Sequence, residues 1–149
     1  MSAIKTFLLP LLLTLVTFSG ASPLANADQS LYGHYYWENG PEEKYSKEVD
    51  LAVKLEDPAK ISISVDISWD PGAQVEVGGT AKTTDISNTP QPDGSIIYVV
   101  PFSFSDGFNN TGTGTLTIHG RECAVSFTVT EAKDGRAARQ YAVYTLQRQ

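Results

Sequence analysis

The sequence has little cysteine and no excess of positive charge. One cysteine, Cys123, stands among 149 residues, which excludes an internal disulfide framework and a zinc site built from several cysteines. The 17 Asp and Glu residues outnumber the 11 Lys and Arg residues, for a formal net charge of −6. Because non-specific nucleic-acid binding requires a basic surface, we predict no nucleic-acid partner.

Motifs for catalysis and for metal or phosphate binding are also missing. There is no Gly-x-Ser-x-Gly element, and His34 and His119 lack the spacing of a paired-histidine metal site. The segment Ser105–Gly112 (SDGFNNTG) carries Asp and Asn oxygens of the kind that bind Ca²⁺, but not at EF-hand spacing. We therefore predict that the protein is not an enzyme and has no metal and no cofactor.

Long hydrophobic runs are absent except at the start of the chain. The run Phe7–Phe18 (FLLPLLLTLVTF) is shorter than the roughly 20 residues of a membrane-spanning helix, and its length is typical of a signal peptide. Ala25-Asn26-Ala27 supplies a small-x-small cleavage pattern. We predict a cleaved signal peptide over residues 1–27, no membrane span, export to the periplasm or the exterior, and one domain over residues 28–149.

Alternation of apolar and polar residues runs through most of that domain. It is clearest in Ile61–Trp69, where it continues without error and predicts a strand with one buried face. The other predicted strands are Leu31–Trp37, Lys47–Leu55, Gln74–Ala81, Ser95–Phe104, Thr111–Ile118, Arg121–Glu131 and Arg139–Gln147. Short turns join them, so the predicted fold is all-β, a single antiparallel domain of about eight strands forming a small barrel or a β-sandwich.

Several residues within these strands carry positional predictions of their own. Pro101 should lie at an edge or a bulge, because it cannot donate to a strand ladder. Gly78-Gly79 indicates a bulge or a close backbone approach, and Gly120 should adopt positive φ in a tight turn. Cys123 falls in the strand pattern as a buried small hydrophobe, with an intermolecular disulfide or a reactive thiol as the alternatives.

Aromatic side chains concentrate in Leu31–Trp37 (LYGHYYW), next to the acidic segment Glu38–Glu43. On a strand, Tyr32, His34 and Tyr36 share one face. Aromatic residues favour binding because they offer a large contact area at low entropic cost, although they would equally cover one end of a barrel. Acidic residues beside them favour a basic partner. The predicted binding residues are Tyr32, His34, Tyr36, Trp37, Glu38, Glu42 and Glu43.

A small basic group, Lys133, Arg136 and Arg139, is the one local positive cluster in this acidic sequence. It is interpreted either as a site for a carboxylate or phosphate group or as a solvated loop.

These patterns lead to three hypotheses of function. The first is an exported protein that binds another protein, for example as an inhibitor or immunity factor against a secreted or cell-wall-degrading enzyme. In size and build the chain is similar to exported bacterial protein-binding proteins, lysozyme inhibitors among them. The second is a carrier of a small apolar ligand in a barrel cavity, since about eight strands enclose room for one such ligand. The third is a pilus or coat subunit that exchanges strands between chains.

Overall fold

The computed structural model describes residues 31–70 and 72–149. The predicted signal peptide and its cleavage site lie outside the described residues. The described residues form nine strands: β1 (Gly33–Glu38), β2 (Lys47–Asp57), β3 (Lys60–Trp69), β4 (Ala73–Lys82), β5 (Ser87–Pro90), β6 (Ile96–Asp106), β7 (Thr111–His119), β8 (Glu122–Glu131) and β9 (Tyr144–Arg148). A 3₁₀ turn, Thr83–Asp85, precedes β5, and a short helix α1, Gly135–Ala138, precedes β9.

Eight of these strands form a closed antiparallel β-barrel. Strands that follow one another along the chain pair with each other, except β4 and β5. In addition, β1 pairs with β9, and β4 pairs with β6. The extra strand, β5, pairs with the first residues of β6. The all-β antiparallel prediction is confirmed, and of its two architectures the barrel is the one present.

The interior is filled by inward side chains from all eight barrel strands. Those that are buried are Tyr35, Val49, Leu51, Val53, Ile61, Ile63, Val65, Ile67, Val75, Val77, Ala81, Tyr98, Val100, Phe102, Phe104, Leu116, Ile118, Cys123, Val125, Tyr144 and Leu146. They alternate with outward positions, as the period of a strand requires. Cys123 is fully buried, and burial raises the pKa of its thiol to about 12.

Glycines make room for the interior rings of Phe102 and Phe104. Gly112 and Gly114 pair with Phe104 and Phe102 across β6 and β7. A Cβ added to Gly112 would lie 2.7 Å from the Phe104 ring, and one added to Gly79 would lie 2.9 Å from the Phe102 ring. The close approach predicted for Gly78-Gly79 therefore occurs at Gly79. The pairing of β3 with β4 shows no bulge there.

The barrel has two distinct ends. At the loop end lie residues 39–46, 107–110 and 132–143, together with the turn after β3. At the turn end lie the tight connections after β2 and β7 and the segment 83–95, which contains β5. Gly120 has φ of +59° in the turn after β7, as predicted.

The segment before the last strand differs from the prediction. Residues 139–143 are not in the predicted strand, and the short helix α1 begins at Gly135. The cause is Asp134, whose side chain accepts hydrogen bonds from the backbone N–H groups of Arg136 and Ala137, each at 2.9 Å. This is an N-cap, which stabilises the start of a helix.

No helix among the residues described is both long and apolar enough to cross a membrane.

Candidate binding surfaces

Strand β1 divides the predicted aromatic binding residues between its two faces. Tyr35 is fully buried in the barrel, whereas His34 is exposed and Tyr36 is half-buried on the outward face. Tyr32 precedes β1 and is half-buried, packed against the hydrophobic core. Trp37 is on the inward side, where its ring lies 5.2 Å from that of Tyr144. The structure therefore brings His34 and Tyr36 together on the outward face, whereas Tyr32 and Trp37 pack against the core. The prediction that Tyr32 shares a face with His34 and Tyr36 is wrong, because the strand begins after it, at Gly33.

The strand register places carboxylates beside Tyr36. Asp50 is the cross-strand partner of Tyr36 on β2, and the row continues with Asp66 on β3 and Glu76 on β4. Glu38 and Glu48 are likewise partners across β1 and β2. Side chains in such pairs have Cβ atoms about 4.5–5.5 Å apart, so these like charges repel one another. We call the outward set Tyr36, Glu38, Glu48, Asp50, Asp66 and Glu76 the acidic face.

Positive charge does little to neutralise the acidic face. Among the described residues, no Lys or Arg forms an ion pair with Asp50, Asp66 or Glu76, and the contact closest to one is His34 Nδ1, 4.0 Å from Asp50 Oδ1. Sequence reasoning missed Glu48, Asp50, Asp66 and Glu76. Each is a polar outward position in an alternating strand, but only the register shows that they form rows.

Tyr36 donates a hydrogen bond from its hydroxyl to Glu38 Oε2 at 3.1 Å. Desolvation raises the pKa of Tyr36 above its ordinary value of 10.0, and the hydrogen bond and charge of Glu38 and the neighbouring Glu48 raise it further. The phenol therefore keeps its proton at neutral pH. It is a half-buried neutral donor bordered by carboxylates.

The Asn39 side chain connects the two ends of the acidic loop between β1 and β2. The Asn39 side chain accepts from Lys47 N at 2.8 Å and donates to the Tyr45 carbonyl oxygen at 2.6 Å. Glu42 and Glu43 are exposed on this loop at the loop end of the barrel. They adjoin the acidic face through Glu38, the last residue of β1, so the predicted acidic residues are continuous with those that the register adds.

In the segment Ser105–Gly112, the Asp106 and Asn110 oxygens considered as Ca²⁺ ligands take part in hydrogen bonds. Asp106 Oδ1 accepts from Phe108 N at 2.8 Å and from Asn110 N at 2.9 Å. Its Oδ2 accepts from Asn110 Nδ2 at 2.8 Å and from the Tyr141 hydroxyl at 2.6 Å. Four donors occupy the lone pairs that a cation would need. The described part of the chain contains no group of three or more His, Cys, Asp or Glu side chains placed to hold a metal ion.

Asn110, also missed from the sequence, joins this network to the loop before α1. Its side chain is fully buried, and its Oδ1 accepts from the backbone N–H groups of Lys133 and Asp134 at 2.7 and 2.9 Å. Tyr141 lies over Phe104 and Phe127, with ring centroids 5.1 and 5.0 Å away. This arrangement closes the barrel interior at the loop end.

At the turn end a serine forms hydrogen bonds to both a histidine and an aspartate. Ser95 Oγ lies 2.8 Å from His119 Nε2 and 2.6 Å from Asp93 Oδ1. The aspartate contacts the serine and not the imidazole, so the order differs from that of a Ser–His–Asp triad, in which the acid orients the histidine. Asp93 and His119 are exposed, and Ser95 is half-exposed.

The basic group of the sequence lies in the loop before β9. Lys133 is engaged with Glu131, at 2.6 Å between Nζ and Oε1. Arg136 is in α1, and Arg139 follows it.

Two open surface cavities are large enough for a small molecule. A cleft of about 620 Å³ lies between β4 and β6 and includes Thr80, Lys82, Pro101 and Ser103. A groove of about 550 Å³ at the turn end includes Tyr32, His34, Leu55 and Arg148. Leu55 is 49% exposed there.

The strand pairing defines the protein as a small closed β-barrel. No protein-family model matches its sequence, and no curated protein matches it. Among solved structures the chain is similar to a de novo designed fluorescence-activating β-barrel. The two share 17% sequence identity with a TM-score of 0.47, over 83% of this chain and 97% of the designed chain.

Proposed function

We propose that this barrel binds a basic partner protein through the acidic face and the loop that continues it. The observation that carries the proposal is the register of β1–β4, which sets the half-exposed Tyr36 at the head of the carboxylate row Asp50, Asp66 and Glu76. Directly opposed carboxylates destabilise a sheet. A basic partner would relieve their repulsion on binding.

The chemistry of the face suits protein recognition. Tyrosine is enriched among residues that dominate binding energy, and surrounding charges mainly set the association rate and the choice of partner. The proposed partner class is a basic exported enzyme, such as a cell-wall hydrolase, which the barrel would inhibit or neutralise. Export to the periplasm or exterior is part of this proposal.

The test is binding of a purified basic cell-wall hydrolase to the protein at low and high ionic strength. The triple variant Tyr36→Ala/Asp66→Asn/Glu76→Gln should weaken binding at least tenfold, mainly through slower association, and wild-type affinity should fall steeply with salt. Glu131→Gln at the far end of β8 is the matched control and should bind as the wild type does. Equal affinity of the triple variant and the control would refute the proposal.

A second candidate is a carrier of a small apolar ligand. The groove beside Tyr32 and the exposed Leu55 favours it, because an apolar side chain lines an open cavity there. Such a ligand would bind at this surface, since side chains fill the interior. Native mass spectrometry of the purified protein tests this candidate. A retained ligand that is lost in Leu55→Ser would favour it over the basic partner.

A further inference from the structure

The barrel wall has a gap next to β6, on the side of β4. Pairing of β4 with β6 ends at Thr80 and Ser103, and pairing of β5 with β6 starts at Val99. Pro101 lies in the gap between these two stretches, where its missing N–H removes a ladder hydrogen bond. The 3₁₀ turn after Lys82 then carries the chain away from β6. The result is the cleft of about 620 Å³.

Hydroxyl groups line this cleft because of the register. Thr80, Ser103 and Thr113 are successive partners on β4, β6 and β7, and the row extends to Ser62 on one side and Thr128 on the other. Neighbouring strands are about 4.8 Å apart, so the row presents hydroxyls at regular intervals. A hydroxyl both donates and accepts hydrogen bonds, which is the pattern that sugar hydroxyls complement.

Two ammonium groups stand at one side of the cleft. Lys60 and Lys82 are direct cross-strand partners, and both line the cavity. Lys60 is engaged with Glu56 at 3.0 Å, whereas no ion pair of Lys82 occurs among the described residues. The Asp85 carboxylate also lines the cleft and is placed to accept from a ligand hydroxyl. Opposed lysines repel, so a bound anion would stabilise them.

Apolar surface completes the site. Pro101 is exposed at the gap. The buried Phe102 lies beneath it and also lines the cleft. Binding clefts combine such apolar surface with a few placed polar groups. A sugar ring has the matching character, because its C–H faces are apolar and its edges carry hydroxyls.

We propose that the cleft between β4 and β6 binds a carbohydrate that carries an anionic group. The hydroxyl row would contact sugar hydroxyls, the exposed Pro101 would contact a ring face, and Lys82 with Lys60 would bind the carboxylate or sulfate. The site is independent of the proposed function. Strands β3 and β4 also carry Asp66 and Glu76 of the acidic face. The cleft uses other residues of these strands, Lys60, Thr80 and Lys82, which lie nearer the turn end.

Calorimetric titration with four probes tests the proposal: an oligogalacturonate, its methyl ester, a sulfated oligosaccharide and inorganic sulfate. We expect at least one anionic oligosaccharide to bind, the neutral ester to bind at least tenfold more weakly than its acid, and inorganic sulfate to bind more weakly still. Lys82→Gln and Thr113→Val should each weaken binding of the anionic oligosaccharide severalfold. Lys133→Gln removes the same charge at the loop end and should leave affinity unchanged.

Each other outcome overturns the proposal. Binding of inorganic sulfate as tight as that of the oligosaccharides would show a simple anion site, and binding of ester and acid alike would show that charge is not recognised. No binding by either anionic oligosaccharide would exclude the site. Because all substituted residues are exposed or half-exposed, thermal melting should confirm that each variant is folded.

Discussion

At the scale of single residues, Gly112 is a position where the fold requires glycine although the sequence pattern gives no sign of it. The alternating Thr and Gly of Thr111–Thr117 indicate a loosely specified strand when read alone. In the barrel the threonines point outward and Gly112 faces inward, where the Phe104 ring lies against its backbone. The sequence pattern could not reveal this, because the partner of each glycine depends on the register.

The substitution Gly112→Ala should therefore destabilise the fold. Its Cβ would meet both the Phe104 ring and the Thr128 carbonyl oxygen, and the backbone contact cannot be relieved by a rotamer change. We expect a loss of about 1–3 kcal/mol, the range for overpacking, measured by urea denaturation. Gly107→Ala, where nothing lies within 4 Å of the added carbon, is the control. Equal stability of the two variants would contradict this account of the interior.

Asp106 is a second residue whose surroundings predict a measurable effect. Burial alone would raise the pKa of its carboxyl, but hydrogen bonds from Tyr141, Asn110 and Phe108 outweigh burial and hold the pKa below its ordinary 3.8. A lowered pKa means that the ionised form stabilises the folded state. That stabilisation is present above the unfolded value and is lost as the pH falls through the folded one.

Asp106→Asn should accordingly be less stable than the wild type at neutral pH, by about 1–3 kcal/mol, because an amide cannot accept all four hydrogen bonds. The difference should shrink as the pH falls below 3.8, where the wild type itself becomes protonated. Denaturation curves at several pH values measure it. Asp70→Asn, at an exposed position, should track the wild type. A deficit independent of pH would show that the charge is not what matters.

At the scale of elements, alternation predicted all eight barrel strands near their observed positions. It also predicted that Tyr35 and His34 lie on opposite faces of β1. It missed two elements for different reasons. The strand β5 exists because β6 extends past β4, which is a contact between elements. The helix α1 depends on the local Asp134 cap, which alternation does not report. The sequence did not reveal the strand register either. Glu38 is therefore the only carboxylate on β1–β4 among the predicted binding residues.

The strand register leads to a prediction about stability for the row Asp50, Asp66 and Glu76. Asp66 has a carboxylate partner on both sides. Asp66→Asn should raise the free energy of unfolding by about 0.2–1 kcal/mol at low ionic strength, and the gain should shrink at high salt. Asp70→Asn, outside the row, should give a smaller change. No gain at low salt would show that the three carboxylates do not repel appreciably.

At the scale of the whole molecule, the choice between barrel and sandwich depended on closure. Both architectures can be built from sequential hairpins, and adjacent hairpins were all that the turns could predict. Closure needs two pairings between strands that are not consecutive, β1 with β9 and β4 with β6. The prediction that Pro101 lies at an edge is confirmed on one side of β6. There, neither β4 nor β5 pairs with this residue.

A closed barrel with one continuous interior should unfold in a single transition. Both tryptophans, Trp37 and Trp69, lie near the loop end, so their fluorescence reports on that end, whereas far-UV circular dichroism reports on all strands. The two signals should give the same urea midpoint. A fluorescence midpoint at lower urea would show that the loop end opens separately from the rest of the barrel.

The pairing of the first and last strands has one more consequence. Tyr35 pairs with Arg148, and Gln149 N donates to the His34 carbonyl oxygen at 3.0 Å, so residues 31 and 149 lie at the same end of the barrel. A short linker could join them, and the chain could then be cut in the exposed loop between β1 and β2. Such a circular permutant would keep every strand neighbour while turning the most distant pairing along the chain into a local hairpin.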